Sequence, residues 1–413
     1  MPGTRSRFAV IFFTVLIDLI GFGIVMPILP FYAQRFGASG LAYGAVLGVY
    51  SFMQFVATAL LGKLSDRIGR RPLLLTTMLF NAVGYVLFAF AGSYWLLFLS
   101  RVISGFAGGN ISVAQAYMAD ITTPAERSRG MGIVGAAFGI GFSVGPAVGG
   151  LADHYLGHLG PGLIAVGLSL ANFVSAYFIL PESLGHELRV KRPIFDLRHI
   201  GDAVARPRLR PLMIVWALTP LGFAGYTAAL PYRVIDALHW KQLQLTYLFM
   251  IIGVTAAAVQ GYLFGKVVRR TGERALVITG AFGMAVAIAI IPLLTSSGEL
   301  YAWTVVLAVA NSIFSPAATG LVSVYADPNE QGTVLGAAQA ISALGRTIGP
   351  PLIGTVYDVS QVTSFVLAGL FMAAAGLAAL QLPFVTRHAV SGQPPPAPSA
   401  PSVPLPEPPP SES

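Results

Sequence analysis

Residues 61–75 read LGKLSDRIGRRPLLL, and this short stretch decides how the rest of the chain is interpreted. Between residues 63 and 71 there are four positive side chains and one negative one, although only 10% of the chain is charged. A related stretch, FGKVVRRTGERALVI, occurs at residues 264–278, and long apolar segments flank both copies. The repetition of a charged turn between apolar segments indicates a duplicated membrane unit.

The composition indicates that lipid surrounds most of this chain. Of 413 residues, 55% are hydrophobic, and the mean hydropathy is +0.72. A soluble protein of this length could not bury so much apolar surface. The absence of cysteine excludes a disulfide framework and thiolate metal sites. The first apolar run, residues 8–31, is too long for the apolar part of a signal peptide, so it predicts a retained membrane span.

Apolar runs long enough to cross about 30 Å of hydrocarbon recur along the chain. Helices are expected, because barrel strands would be shorter and would alternate in polarity. The sequence therefore predicts an all-α integral membrane protein with twelve transmembrane helices. These are numbered spans 1 to 12, at residues 8–31, 41–61, 73–92, 95–118, 131–151, 161–181, 211–231, 243–264, 275–294, 300–325, 332–356 and 361–384.

The positive charges are distributed asymmetrically between the loops. If both termini are cytoplasmic, the loops on that side hold 20 of the 25 Lys and Arg residues, and the opposite loops hold three. This is the asymmetry expected of a multi-pass protein in the cell membrane. The basic pI near 9.8 thus indicates membrane topology, and nucleic acid is not expected as a partner.

The two halves of the chain are related by repeated positions. The sequence predicts six-helix bundles at 1–186 and 211–386, joined by a basic cytoplasmic linker at 187–210. The tail 387–413 is rich in proline, cannot build a core and is expected to be disordered. Five pairs are separated by a constant 203 residues: Gly62, Lys63, Arg67, Gly69 and Arg71 with Gly265, Lys266, Arg270, Gly272 and Arg274. Five further pairs are separated by 204 residues: Glu126, Gly132, Gly145, Pro146 and Gly150 with Glu330, Gly336, Gly349, Pro350 and Gly354.

Over residues 8–386 the chain resembles the major facilitator superfamily of transporters, and within it the drug:proton antiporters of the tetracycline-efflux type. The resemblance is carried by DLIGFGIVMPILP in span 1, GKLSDRIGRRP after span 2, RVISGFAGG in span 4, GIGFSVGPAVGG in span 5 and LPES after span 6. It implies alternating access, a monomer, and a proton gradient as the energy source in place of any cofactor.

Asp18 is the only one of 17 acidic residues that lies deep within a predicted span. It lies about 15 Å along the helix, at 1.5 Å per residue, where an ionisable group is expected to be functional. We predict that Asp18 carries the coupling proton, with a structural anchor as the alternative. Arg101 in span 4 is its expected partner, and the resemblance gives Arg101 a part in proton coupling. The alternative for Arg101 is a side chain that reaches out to the interface.

The charged turn is predicted to act in gating. The resemblance implies that Asp66 docks the first half against the second. Arg70 is a candidate partner for Asp66, and Asp120 could join through Arg67 or Arg71. The alternative is that these cations only set the membrane topology. The gating candidates are Gly62, Lys63, Asp66, Arg67, Gly69, Arg70, Arg71 and Asp120.

Small residues at mostly four-residue spacing predict close helix contact in span 5, and a proline there predicts a bend. The resemblance implies that this helix seals the two halves of an antiporter. The candidates are Gly141, Gly145, Pro146, Gly149 and Gly150.

A substrate cavity is expected among polar and aromatic residues of spans 1, 2, 4, 5, 7, 8, 10 and 11, which would suit amphipathic guests. Arg346 could balance an anionic substrate group. The candidates are Tyr50, Gln54, Asn110, Gln115, Tyr117, Tyr226, Gln260, Asn311, Phe314, Gln339 and Arg346.

The predicted function is proton-coupled efflux of amphipathic small molecules or drugs. Enzymatic activity is not expected, because all six histidines fall in or beside predicted loops and no nucleotide-binding or nucleophile motif occurs. The alternatives are tetracycline-specific efflux, a proton-coupled sugar or metabolite importer, and a non-transporting scaffold or sensor. Against tetracycline specificity, the acidic residue that such proteins carry in span 3 is replaced by Gly84, and spans 8 and 9 lack their titratable residues.

Overall fold

The computed structural model describes residues 4–122, 127–183, 206–326 and 330–383, and every regular element in these ranges is a helix. Residues 1–382 form one compact unit, and Pro383–Ser413 form a second. The predicted tail, 387–413, and most of the predicted linker, 187–210, lie outside the described residues. The division into two domains at those positions stays a prediction.

Each predicted span corresponds to one helix or to two consecutive helices. Spans 1 to 6 are Thr4–Val25 with Leu29–Arg35, Gly40–Ile68, Arg70–Ala89, Tyr94–Ala107 with Asn110–Ile121, Arg127–Leu156 and Gly160–Ile179. Spans 7 to 12 are Arg210–Leu238, Gln242–Ala258 with the π-helical turn Val259–Leu263, Phe264–Ile290, Ser297–Tyr325, Gln331–Val359 and Gln361–Leu380. Pro27 interrupts span 1 because proline has no backbone donor, and a Gly-Gly pair interrupts span 4.

Nine segments of the described chain are long and apolar enough to cross a membrane. One of them, Gln242–Leu293, contains both span 8 and span 9. The helices of spans 5 and 11 have 30 and 29 residues, or about 45 Å at 1.5 Å per residue, which exceeds the hydrocarbon thickness. The prediction of an all-α membrane protein with twelve spans is thereby confirmed.

The charged turn between spans 2 and 3 is shorter than the sequence analysis expected. Residues 62–68 belong to the helix of span 2, and the chain reverses at Gly69, where φ is +107°. In the second copy the helix Phe264–Ile290 is broken at Gly272, where φ is +78°. These left-handed backbone values favour glycine because no Cβ is present to clash. The same residue type therefore makes the same turn in both halves.

The packing of the spans follows the repeat. Span 1 packs on span 5 and span 3 on span 6, and in the second half span 7 packs on span 11 and span 9 on span 12. Contacts between the halves are also paired, because span 2 packs on span 11 and span 8 packs on span 5. Two six-helix units thus meet along two equivalent helix pairs, and the space between them holds the candidate site.

Candidate functional site

A cavity of about 430 Å³ lies between the two halves. It is lined by side chains of spans 1, 2, 4, 7, 10 and 11, and none of the described side chains of spans 5 and 8 belongs to the lining. Ser315, Thr319 and Gln339, on the side of the charged turns, are exposed, whereas Leu29 and Val46, at the other end, are buried. The end of the molecule with the charged turns, residues 62–71 and 265–274, is called the basic end. The other end, with residues 36–48 and 347–361, is called the opposite end. The cavity is open to the basic end and closed at the opposite end.

Five of the predicted substrate-binding residues line this cavity: Tyr50, Asn311, Phe314, Gln339 and Arg346. They come from spans 2, 10 and 11, which the sequence analysis had included among the cavity spans. Their predicted location is consistent with the structure, and their contact with a substrate stays a prediction.

Six predicted residues do not line the cavity: Gln54, Asn110, Gln115, Tyr117, Tyr226 and Gln260. The Nε2 of Gln54 donates to the carbonyl of Gly108 at 3.4 Å, and the hydroxyl of Tyr117 donates to the carbonyl of Pro181 at 3.0 Å. Tyr226 is buried among neighbouring helices, and Gln115 and Gln260 are exposed. These six residues lie outside the lining of this cavity, since polar side chains in membrane helices often bond to neighbouring helices, and their contact with a substrate stays a prediction.

Several lining residues were missed by the sequence analysis, and three of them are aromatic. Phe22, Trp216 and Phe223 contribute rings to the cavity wall, and Thr219 contributes a hydroxyl. The Phe22 ring lies 4.9 Å from the ring of Tyr50. The sequence offered one signal, since three of these residues recur at three- to four-residue spacing in span 7, which places them on one helix face.

Asp18 lies in span 1, one helical turn before the cavity residue Phe22. Its Oδ2 accepts a hydrogen bond from the Nδ2 of Asn110, and the amides of Asn81 and Asn172 lie beside the same carboxyl group. All three asparagines are buried, and Oδ1 of Asp18 forms no hydrogen bond with the described residues. Asp18 is therefore held in a polar nest of amides from spans 3, 4 and 6, next to the cavity wall.

Arg101 is 3% exposed and lines the cavity. Its Nε donates to the hydroxyl of Ser100 at 3.1 Å, and its guanidinium carbon lies 5.0 Å from the centre of the Phe88 ring. One nitrogen, Nη2, is buried without a hydrogen-bond partner. The expected ion pair with Asp18 is not formed in the structure. The hydroxyl of Tyr50 lies within electrostatic range of Asp18, Arg101 and Arg346. Tyr50 therefore lies between the carboxyl group and the two cations.

The gating candidates form an ion-pair network centred on Arg70. The Nη1 of Arg70 lies 2.6 Å from Oδ1 of Asp66, and its Nε lies 3.1 Å from Oδ2 of Asp120. Asp120 thus pairs with Arg70, where the sequence analysis had suggested Arg67 or Arg71. Because Arg70 is buried and carries donors in a fixed fork, it ties the end of span 2 to the end of span 4.

Glu182, in the LPES motif, was not among the predicted site residues. Its two carboxylate oxygens accept from the backbone N–H of Arg70 at 2.9 Å and of Arg71 at 3.2 Å. It therefore satisfies two free donors at the start of span 3, where negative charge is favoured. The side chain of Arg71 donates to the carbonyl of Tyr177 at 2.6 Å. The network thus extends to the end of span 6.

The glycines of span 5 act mainly inside the first half. A Cβ on Gly141, Gly145 or Gly149 would meet the backbone or Cβ of span 1 within 2.1 to 2.7 Å. Only Gly150 among the predicted residues faces the second half, where a Cβ would lie 1.9 Å from the Thr246 hydroxyl. The close contact predicted for span 5 is present. Its part in sealing the two halves stays a prediction, for which Gly150 is the residue at the interface.

The described residues contain no group of three or more His, Cys, Asp or Glu side chains that could hold a metal ion.

The lining of the cavity offers aromatic and aliphatic surface, a few amides and hydroxyls, and two guanidinium groups. None of the described lining residues is acidic. This arrangement can hold a small molecule, and the carboxyl group of Asp18 beside it can hold a proton.

Comparison with known proteins identifies the family. A family model described as Major Facilitator Superfamily matches residues 11–350 and 261–409. Tetracycline resistance protein, class C, of Escherichia coli is 31% identical over 386 residues, which cover 91% of this chain and 96% of that protein. The crystal structure of the human organic anion transporter MFSD10 (TETRAN) is similar, with a TM-score of 0.69 and 25% identity over 92% of this chain and 100% of that chain.

A POT family transporter solved with 5-aminolevulinic acid has the same fold, with a TM-score of 0.73 at 12% identity, covering 90% of this chain and 95% of that one. The family model spans well over half of the chain. The protein is a membrane transporter rather than an enzyme, and the chain belongs to the major facilitator superfamily.

Proposed function

We propose that the chain exports amphipathic small molecules in exchange for protons, by alternating access of the central cavity. The observation that carries this proposal is Asp18, a carboxyl group within a membrane span, held by buried amides and with one oxygen that no described residue bonds to. An ionisable group at this depth is costly, and such groups mark ion or proton pathways.

The amides around Asp18 suit a group that changes its charge. An asparagine side chain can donate to a carboxylate through its NH₂ and can accept from a protonated carboxyl through its oxygen. Asn81, Asn110 and Asn172 therefore supply partners to both protonation states. Asp18 could bind a proton while the cavity faces one side and release it while the cavity faces the other. The proton gradient would then drive transport without a cofactor.

The cavity matches an amphipathic substrate in size and chemistry. Its volume of about 430 Å³ lies within the range of drug-sized ligand sites, about 300–1,000 Å³. Phe22, Trp216, Phe223 and Phe314 offer ring faces, and the polar groups are few. Such a lining favours a largely apolar guest with one or two polar groups. The proposal further places the protein as a monomer in the cell membrane, with both termini in the cytoplasm and the basic end facing inward.

The test is proton movement in proteoliposomes that carry an imposed pH gradient, measured while a panel of amphipathic drugs, sugars and organic acids is added. We expect drug-induced proton release, dependent on the drug concentration. A response to sugars or small metabolites alone would favour the importer. The absence of any substrate-induced flux from correctly inserted protein would favour the scaffold or sensor.

A second candidate function is export of organic anions, and the charge of the cavity favours it. Arg101 and Arg346 both line the cavity, and no described lining residue is acidic. The Nη1 of Arg346 donates only to Ser342, one turn away on its own helix, at 2.7 Å. The related MFSD10 is named an organic anion transporter. A carboxylate or sulfonate on the substrate would pair with these cations, since charge-assisted hydrogen bonds are the strong ones.

For this candidate we expect Arg346→Gln to raise the KM for anionic substrates by about tenfold or more, because a hydrogen bond to a charged group contributes about 1.5–3 kcal/mol. The KM for neutral substrates of similar size should stay within about twofold. Transport assays with a matched carboxylate and methyl-ester pair would measure the difference. An equal loss for both members of the pair would show that Arg346 does not recognise charge.

Tetracycline itself is the less favoured cargo, although the class C resistance protein is a relative. The structure gives a steric reason at Gly84, where a Cβ would lie 2.2 Å from the hydroxyl of Ser104. A larger side chain at this contact between spans 3 and 4 would require the Ser104 hydroxyl to rotate away or the helices to shift. Tetracycline in the drug panel tests this point.

A further inference from the structure

At the opposite end of the cavity, a carboxylate of the second half caps a helix of the first half. Asp358, in the last turn of span 11, accepts hydrogen bonds from the backbone N–H of Gly40 at 2.6 Å and of Leu41 at 2.9 Å. These donors belong to the first turn of span 2. The hydroxyl of Ser39 takes the next donor, the N–H of Ala42. A side chain more than 300 residues away in the sequence thus completes the cap of span 2.

The capping carboxylate fits because the two helices approach each other closely. A Cβ on Gly40 would lie 2.5 Å from the carbonyl of Gly354, and a Cβ on Gly44 would lie 2.3 Å from that of Pro350. Free N–H groups and the helix dipole make the start of a helix favourable for negative charge. The close backbone contact brings Asp358 within reach of this site. Separation of the two helices would remove both hydrogen bonds together.

Other contacts between the halves surround this cap. The rings of Tyr43 and Tyr232 stack with centroids 5.0 Å apart, and the hydroxyl of Tyr232 donates to the carbonyl of Ala38 at 2.8 Å. The Nε2 of Gln34 donates to Asp236 at 3.1 Å. Each of these contacts joins the first half to the second, and all lie at the closed end of the cavity.

In the second contact between the halves, span 5 with span 8, none of the described carboxylates caps a helix of the other half. At the offset of 204, the position of Asp358 corresponds to His154. The helix of span 8 is capped within its own half, because the N–H of Lys241 donates to Oε1 of Gln244 at 2.7 Å. The charged contact between the halves therefore occurs between spans 2 and 11 and has no counterpart among the described residues of spans 5 and 8. This asymmetry argues for a specific role of Asp358.

We propose that Asp358 is a positioning residue for transport, which holds span 2 on span 11 and keeps the cavity closed at the opposite end. Its two hydrogen bonds must break each time the cavity opens to that side. Asp358 would therefore set the balance between the two orientations of the cavity. This inference rests on the alternating-access part of the proposed function, and it does not depend on proton coupling or on the substrate.

The test uses a single cysteine as a reporter, because the chain has none of its own. Val46 lines the cavity and has no exposed surface, so Val46→Cys should react with a membrane-impermeant maleimide, added at the opposite end, only when that end opens. We expect Asp358→Asn to raise the labelling rate by about tenfold, as the loss of charge-assisted hydrogen bonds would. Asp358→Glu should restore part of the wild-type rate.

The matched control is Asp153→Asn, which removes a carboxylate at the same end whose neighbours His154, His158 and Tyr32 all lie in the first half. Its labelling rate should equal that of the parent. The Tm in detergent is measured for every variant, so that misfolded protein is recognised. An unchanged labelling rate in folded Asp358→Asn, or an equal rise in Asp153→Asn, would overturn the inference. A rise in the labelling rate without any substrate-induced proton flux would support the role of Asp358 and would contradict proton coupling.

Discussion

Asp18→Asn is expected to abolish proton-driven accumulation of substrate while leaving the fold intact. Asparagine has nearly the same shape as aspartate, and it can bond to the Asn110 amide that now donates to Asp18. It cannot bind or release a proton near neutral pH. The variant would keep the cavity and its conformational changes but would lose the link between substrate and proton.

The size of the effect follows from the driving force. One pH unit corresponds to about 1.36 kcal/mol per proton, so a gradient of about two units could sustain about a hundredfold substrate gradient if one proton is exchanged per substrate. In Asp18→Asn the substrate ratio should fall to about one. The measurement is the steady-state substrate ratio in proteoliposomes with the gradient imposed.

Exchange of labelled for unlabelled substrate without a pH gradient is the matched control. This exchange requires the cavity and alternating access, and it needs no net proton movement. We expect it to persist in Asp18→Asn at a rate comparable to that of the parent. Accumulation at the parental level in the variant would contradict the assignment of Asp18 as proton carrier. Loss of exchange together with a lower Tm would instead indicate a structural role.

The sequence was sufficient for the number and approximate positions of the membrane spans, because hydrocarbon thickness imposes a length on every span. It also identified Asp18 as a candidate functional residue, because a single carboxyl group within a long apolar run is evident from the sequence alone. The turn at Gly69 was recognisable from its copy at Gly272, and both adopt the left-handed backbone that favours glycine. These features depend on local sequence and on the repeat.

The cavity lining was harder to predict, because it depends on how each helix is rotated. In a soluble helix one apolar face marks the core, whereas a membrane helix is apolar on the faces toward lipid and toward other helices. Tyr226 and Phe223 in span 7 illustrate the difficulty, since Tyr226 is buried between helices and Phe223 faces the cavity. The two residues are three positions apart and lie on neighbouring parts of the helix surface, so no local signal distinguishes the two aromatic side chains.

The partners of the charged turn show a second limit. The sequence indicated Arg70 as the partner of Asp66, but for Asp120 it suggested Arg67 or Arg71 in place of Arg70. The choice depends on the reversal at Gly69, which places Arg70 beside both carboxylates. Glu182 was missed because its contact with the start of span 3 joins residues more than 100 positions apart.

Arg70→Gln is expected to destabilise the protein strongly and to slow transport. Arg70 is buried and lies between Asp66 and Asp120, and its Nη1 also donates to the hydroxyl of Ser65. Its removal leaves two carboxylates without their cation, which costs about 3–5 kcal/mol when the pair is fully buried. Asp66 and Asp120 keep 34% and 23% of their side-chain surface exposed, so we expect about 3 kcal/mol, the lower end of that range.

The second copy of the turn supplies the matched control for this prediction. At the offset of 203, Asp66 corresponds to Arg269, an exposed residue whose Nε donates to the carbonyl of Gly265 on its own helix. Arg269→Gln should therefore change the free energy of unfolding by less than about 1 kcal/mol, as is usual for exposed charges. Chemical unfolding in detergent would measure both variants. A similarly small loss of unfolding free energy in Arg70→Gln would mean that the charged turn only sets topology. A large loss in Arg70→Gln with a small loss in Arg269→Gln would show that the Arg70 network ties spans 2, 3, 4 and 6 together.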